Sequence, residues 1–63
     1  MGVKINNAKD YMYDCKYIVA RCNDGELWFY GADDSETWAK AAAKEVDGFI
    51  FINNGGVIEE CLR

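Results

Sequence analysis

The 63-residue sequence has no histidine and no proline, one serine, one threonine and three cysteines. Each shortage closes off a class of function. Histidine is the usual general base at neutral pH and the commonest metal ligand, and both roles are vacant. Ser35 and Thr37 are the hydroxyl nucleophile candidates, and both stand where a helix should begin. Cys15, Cys22 and Cys61 contain no C-x-x-C pair and cannot alone complete a four-ligand zinc site. Their odd number argues against a secreted disulfide scaffold and for a reducing, cytoplasmic setting, with the thiols serving as small buried or half-buried hydrophobes. Gly55-Gly56 lacks the Lys-Ser/Thr and the helix of a phosphate loop. Apolar runs such as Phe49-Ile50-Phe51-Ile52 are far shorter than the ~20 residues of a membrane span, and no secretory leader pattern opens the sequence. Seven Lys and Arg against eleven Asp and Glu leave a net charge of −4. A general nucleic-acid binder needs a basic stripe to displace counterions, and none is present. The expectation is a protein that is not an enzyme, carries no cofactor or metal, and contacts neither membrane nor nucleic acid directly.

What is present favours a fold. The chain is 51% hydrophobic and 14% aromatic, too apolar for a disordered tail. Its length allows a single domain spanning residues 1–63, of the small kind that buries only about 60% of its surface. Residues 1–14 are the least patterned. Val3 and Ile5 alternate around Lys4 as a short edge strand would, and Asn6-Asn7 reads as a turn. Ala8 to Asp14 then carries Tyr11, Met12 and Tyr13 on a helical turn or loop. This segment either folds back as a cover over the sheet or is partly disordered.

Two strands follow, Lys16 to Cys22 and Glu26 to Ala32, separated by Asp24-Gly25, a favoured two-residue type I′ hairpin loop. In a regular register Cys22 faces Leu27, Arg21 faces Trp28, Ala20 faces Phe29, Val19 faces Tyr30 and Ile18 faces Gly31. Ile18, Ala20, Cys22, Leu27 and Phe29 then form the face expected under the helix. Tyr17, Val19, Arg21, Trp28 and Tyr30 form the opposite face. Asp33-Asp34-Ser35-Glu36 is an N-cap cluster that also places negative charge at the positive end of a helix dipole. Trp38, Ala42 and Val46 recur at helical spacing with Ala39 and Ala43 beside them, and Gly48 is expected as the left-handed residue ending the helix. Glu36 and Lys40 make a favourable i,i+4 pair. Phe49 to Ile52 reads as a central strand antiparallel to the strand at Tyr17. Asn53-Asn54-Gly55-Gly56 is a second hairpin signal, and Val57 to Arg63 begins as an edge strand marked by Glu59-Glu60. The expected fold class is α+β, a mostly antiparallel sheet of about four strands in the order β-β-α-β-β, with one helix on one face.

The features able to carry function lie on the face expected away from the helix. Tyr17, Arg21, Trp28 and Tyr30 combine the residue types enriched at binding hot spots, with a cross-strand cation–π contact expected between Arg21 and Trp28. Their competing role is as the underside of a cover made by the N-terminal segment. Asp33, Asp34 and Glu36 read first as a solvated cap and second as carboxylates imitating a phosphate backbone in a partner's basic channel. A calcium site would need a spaced ligand loop that is lacking. Base stacking on the sheet face, as in RNA-recognition modules, is a weaker option on so acidic a chain.

The stretch Tyr17-Ile18-Val19-Ala20-Arg21, then Gly25-Glu26-Leu27-Trp28-Phe29-Tyr30-Gly31-Ala32, then a short Ala-rich helix ending at Gly48, resembles small uncharacterised proteins of phages and mobile elements in size and layout. Some compact acidic proteins of that origin, including anti-CRISPR proteins, inhibit host defence nucleases. The resemblance implies a stoichiometric inhibitor of a host nucleic-acid-handling enzyme, with Tyr17, Arg21, Trp28, Tyr30, Asp33, Asp34 and Glu36 as the expected partner-binding residues. The alternative is an assembly module that homodimerises through an open sheet face.

Overall fold

The computed structural model describes residues 4–61, with side chains through Glu59, so Val3, Leu62-Arg63 and the Cys61 thiol lie outside the described residues. The elements are a 3₁₀ turn at Asp10–Asp14, β1 at Tyr17–Asn23, β2 at Glu26–Asp33, α1 at Glu36–Val46, β3 at Phe49–Asn54 and β4 at Val57–Cys61. The four strands form one antiparallel sheet ordered β2-β1-β3-β4. This is the expected α+β arrangement of one helix and four strands, with the Phe49 strand central and antiparallel to β1.

Both hairpins form at the expected loops because two successive residues tolerate positive φ. Asp24 and Gly25 have φ of 55° and 78°, and Gly55 and Gly56 have 64° and 94°. The second hairpin pairs without interruption from Asn54↔Val57 to Ile50↔Cys61. The first does not. Its pairing runs Arg21↔Trp28 and Ala20↔Phe29, then jumps to Val19↔Gly31, so Tyr30 is the extra residue of a β-bulge. Ile18 therefore opposes Ala32 rather than Gly31. The bulge shifts the phase of β2: Leu27, Phe29 and Ala32 all pack into one cluster, although strict alternation would send Phe29 and Ala32 to opposite faces.

The helix sits on the face opposite to the one expected. Ala39, Ala42 and Ala43 pack on Tyr17, Val19 and Ile50, flanked by Trp38, Val46 and Ile52. Ile18 and Ala20 point the other way, into a cluster with Phe51, Ile58, Ile5 and Met12. Both faces of β1 and β3 are apolar, so residue polarity alone could not say which one the helix would take. The small alanines bring the helix axis close to the sheet, and Ile18, Phe51 and Ile58 fall to the N-terminal segment.

Ser35 caps α1, its Oγ accepting from the Trp38 N–H at 3.2 Å. At the other end the left-handed residue is Asp47, with φ 53° and ψ 45°, not Gly48. The Gly48 N–H donates to the Ala43 carbonyl and the Asp47 N–H to that of Lys44, the paired bonds of a Schellman motif. Gly48 is required for a different reason: a methyl group there would press into the carbonyl oxygen of Ala20. Glycine is what lets the chain leave the helix and drop directly against β1.

The second face is closed by residues 5–15. Ile5 and Met12 are buried, and the Tyr11 ring meets Phe29 edge-on at 5.6 Å. Asn6 bridges to the outer edge of β2, its N–H donating to the Leu27 carbonyl and its carbonyl accepting from the Phe29 N–H. The other end is pinned by Asn53, whose Nδ2 donates to the carbonyls of Tyr13 at 2.7 Å and Cys15 at 3.2 Å. Both faces of the sheet are thus covered around their apolar clusters.

Candidate functional site

β1 pairs with β3 only from Tyr17 to Ala20, whereas it pairs with β2 along its whole length. Beyond Ala20 the first hairpin is a two-stranded arm overhanging the sheet. The burial of β1 changes at that point, from four buried residues to exposed Arg21, Cys22 and Asn23. An isolated two-stranded ribbon is marginal in water. Here Asn6 steadies it through the two backbone bonds to β2 and a 3.1 Å bond from its Nδ2 to Glu26 Oε1.

The arm and the bulge beside it hold the exposed aromatic surface. Trp28 is 41% exposed and Tyr30 43%, and neither belongs to a core cluster. Arg21 lies directly across from Trp28, and its guanidinium makes no hydrogen bond or ion pair among the described residues. The expected cation–π contact between them is not formed; such a contact joins Lys16 to the Tyr17 ring instead, at 5.5 Å. Both side chains are exposed, so the guanidinium has solvent as its alternative.

Tyr17 leaves the expected set. It is 9% exposed beneath α1, and its hydroxyl donates to Glu36 Oε1 at 3.5 Å. Val19 is likewise fully buried on the helix side. Cys22, expected in the core, is exposed because the arm carries it past β3. Cys15 is half-buried, and its thiol is pushed above the ordinary value by burial and then by the carboxylates of Asp34, Asp33 and Asp14. A thiol held neutral in this way is a poor nucleophile.

The acidic residues are exposed, yet each has local work. Asp33 Oδ1 accepts from the Ser35 N–H at 3.0 Å, and Asp34 Oδ1 accepts from the Lys16 N–H at 2.8 Å. Glu36 pairs with Lys40 at 2.9 Å, which holds its carboxyl below the ordinary value against the opposing effect of burial, with lesser help from Tyr17 and Lys16. These groups first organise the turn from β2 into α1. Their outward charge remains available to a partner.

A shallow groove of about 270 Å³ runs beside the C-terminal half of α1, lined by Lys40, Ala43, Lys44, Asp47 and Ile50. It contains no nucleophile–base pair. Among the described residues no three His, Cys, Asp or Glu side chains converge as metal ligands, and no helix is long and apolar enough to cross a membrane. Asn53 and Asn6 are the structural residues that pattern reading passed over. Both stand in Asn pairs that read as turns, and only the fold shows their amides tying distant segments together. No protein-family model matches this chain, and no match was found among curated proteins or solved structures.

Proposed function

We propose that the protein is a partner-binding module rather than an enzyme, and that it docks through the overhanging arm. Trp28 is the central anchor, Tyr30 and Arg21 flank it, and Asp33, Asp34 and Glu36 supply rim charge. The observation that carries this reading is the exposure of Trp28 and Tyr30 on a strand whose other large side chains are enlisted by the core. Buried Trp, Tyr and Arg anchors dominate binding energy at protein interfaces, and rim charges mainly speed association and set register. A β-bulge that frees a tyrosine from the ladder is a recurrent way to re-aim a side chain beside a functional site. The net charge of −4 favours a basic surface on the partner. In its sharpest form the reading is a stoichiometric inhibitor that occludes the nucleic-acid channel of a host enzyme. An assembly module working through an open sheet face has less support, because that face is filled by Ile5 and Met12.

The test compares Trp28→Ala with the unaltered protein in pull-downs from a bacterial lysate at low and high salt. The expected result is a retained nucleic-acid-handling protein that is lost with the variant, whose melting profile shifts by no more than about 1 kcal/mol of stability. Unfolding of Trp28→Ala would mean that the ring is structural, and the reading would fail.

A further inference from the structure

The two outer edges of the sheet are guarded differently. On β2 the guard is visible: Asn6 occupies the outward Leu27 carbonyl and Phe29 N–H, at 2.7 and 2.9 Å, and the strand carries a bulge. On β4 the ladder to β3 is regular over all five residues, and no strand lies on the outer side among the described residues. The register says which groups face outward. A two-residue loop is closed by the Asn54–Val57 pair, so Val57, Glu59 and Cys61 turn their N–H and C=O groups toward β3. Ile58 and Glu60 turn theirs outward. The same rule applied to the first hairpin selects Leu27 and Phe29, which are the residues bonded to Asn6.

Sheet edges are usually blunted by charged side chains, proline or a bulge. β4, Val-Ile-Glu-Glu-Cys, has neither proline nor bulge, and charge is its guard. Its charge is of one sign, from Glu59 and Glu60, with Glu59 exposed. A second copy pairing along this edge would bring two Glu-Glu segments together, and like charges on neighbouring strands are destabilising. We infer that β4 accepts an extended, lysine- or arginine-bearing segment of a partner protein as a fifth strand. Main-chain bonds to Ile58 and Glu60 would supply the pairing, and the exposed Glu59 carboxylate would help select a basic strand. This site lies across the sheet from Trp28 and does not depend on the reading given to that residue.

The probe is a capped heptapeptide alternating lysine with valine and threonine, beside a matched peptide with glutamate in place of lysine. Amide exchange is followed by NMR on the full chain. The expected result is that the lysine peptide slows exchange at Ile58 and Glu60, and that the glutamate peptide does not. Glu60→Pro removes an outward N–H without breaking a bond to β3, so it should fold and bind the lysine peptide about tenfold more weakly. Glu60→Gln, which keeps the N–H, should lose less, and Trp28→Ala should lose nothing. Equal protection by both peptides, no protection by either, or unchanged affinity in a folded Glu60→Pro variant would each overturn the inference. Protection that rises with protein concentration in the absence of peptide would overturn it in favour of self-pairing.

Discussion

The two faces of this sheet are closed by different means. On one side lies an 11-residue helix with a hydrogen-bonded cap at each end, whose buried residues Ala39, Ala42 and Ala43 follow helical spacing. On the other lies an irregular segment held at separated points by Ile5, Asn6, Met12 and Asn53. The helix satisfies its own backbone and brings a continuous stripe to the sheet. The segment must borrow hydrogen bonds from β2 and Asn53, and it has no side-chain cap on its 3₁₀ turn. Covers of the second kind open locally at lower free energy than packed helices, because fewer buried contacts oppose the entropy of release.

The largest effect should come from the helix side. Gly48→Ala drives a methyl group into the Ala20 carbonyl, and neither backbone can yield without disturbing α1 or β1. A loss of about 3 kcal/mol, the upper end for overpacking, is expected in urea denaturation. That is a large share of the roughly 3–9 kcal/mol available to a domain of this length. Gly31→Ala is the control, since the new methyl would meet the Trp38 ring at 3.0 Å and a side chain can move. Equal losses in the two variants would remove the backbone explanation.

Met12→Ala should cost less, about 2 kcal/mol, the low end for a buried methionine, because an irregular segment can settle into the space left behind. Its distinguishing sign is local. Amides of Asn6 and Phe29, which bond the segment to β2, should exchange faster while those of α1 are unchanged. Uniform acceleration across the molecule would show that cover and helix open together, and the contrast between the faces would collapse.

The smallest effect concerns pH. Glu36 links the first turn of α1 to Tyr17 and Lys40, and its carboxyl is lowered chiefly by the Lys40 hydrogen bond. A carboxylate lowered in the folded state contributes stability that is present above its unfolded value of 4.5 and is lost as pH falls through the folded value. Glu36→Gln should therefore flatten the drop in Tm below about pH 4.5, and only slightly because the pair is exposed. A drop of unchanged steepness would assign the acid sensitivity to other carboxylates.

Most of the chain's elements were legible in local pattern. The two loops at Asp24-Gly25 and Gly55-Gly56, the helix from Glu36 to Val46 and the central Phe49 strand all follow from residue types within a few positions of one another. The exposed aromatic surface was legible in part. Arg21, Trp28 and Tyr30 are exposed, but Tyr17, expected beside them, is buried. Local pattern failed there because β1 is apolar on both faces, and a two-fold alternation does not label its own sides. The bulge at Tyr30 was equally hidden, since a two-residue loop sets register only until the ladder is interrupted.

By itself the sequence determined what short-range physics can determine: positive φ at the turns, helical spacing of small residues, the Ser35 cap, the net negative charge and the absence of histidine chemistry. Only the tertiary structure decided which side of the sheet the helix covers, and that β1 outruns β3 to leave an arm. It alone closed the second face with Ile5 and Met12 and made Gly48 a close contact to β1 rather than the left-handed residue of the helix end. Those outcomes depend on close packing between segments far apart in the chain. Pairs such as Gly48 with Ala20, or Asn53 with Tyr13, acquire a relation only when the fold brings them into contact.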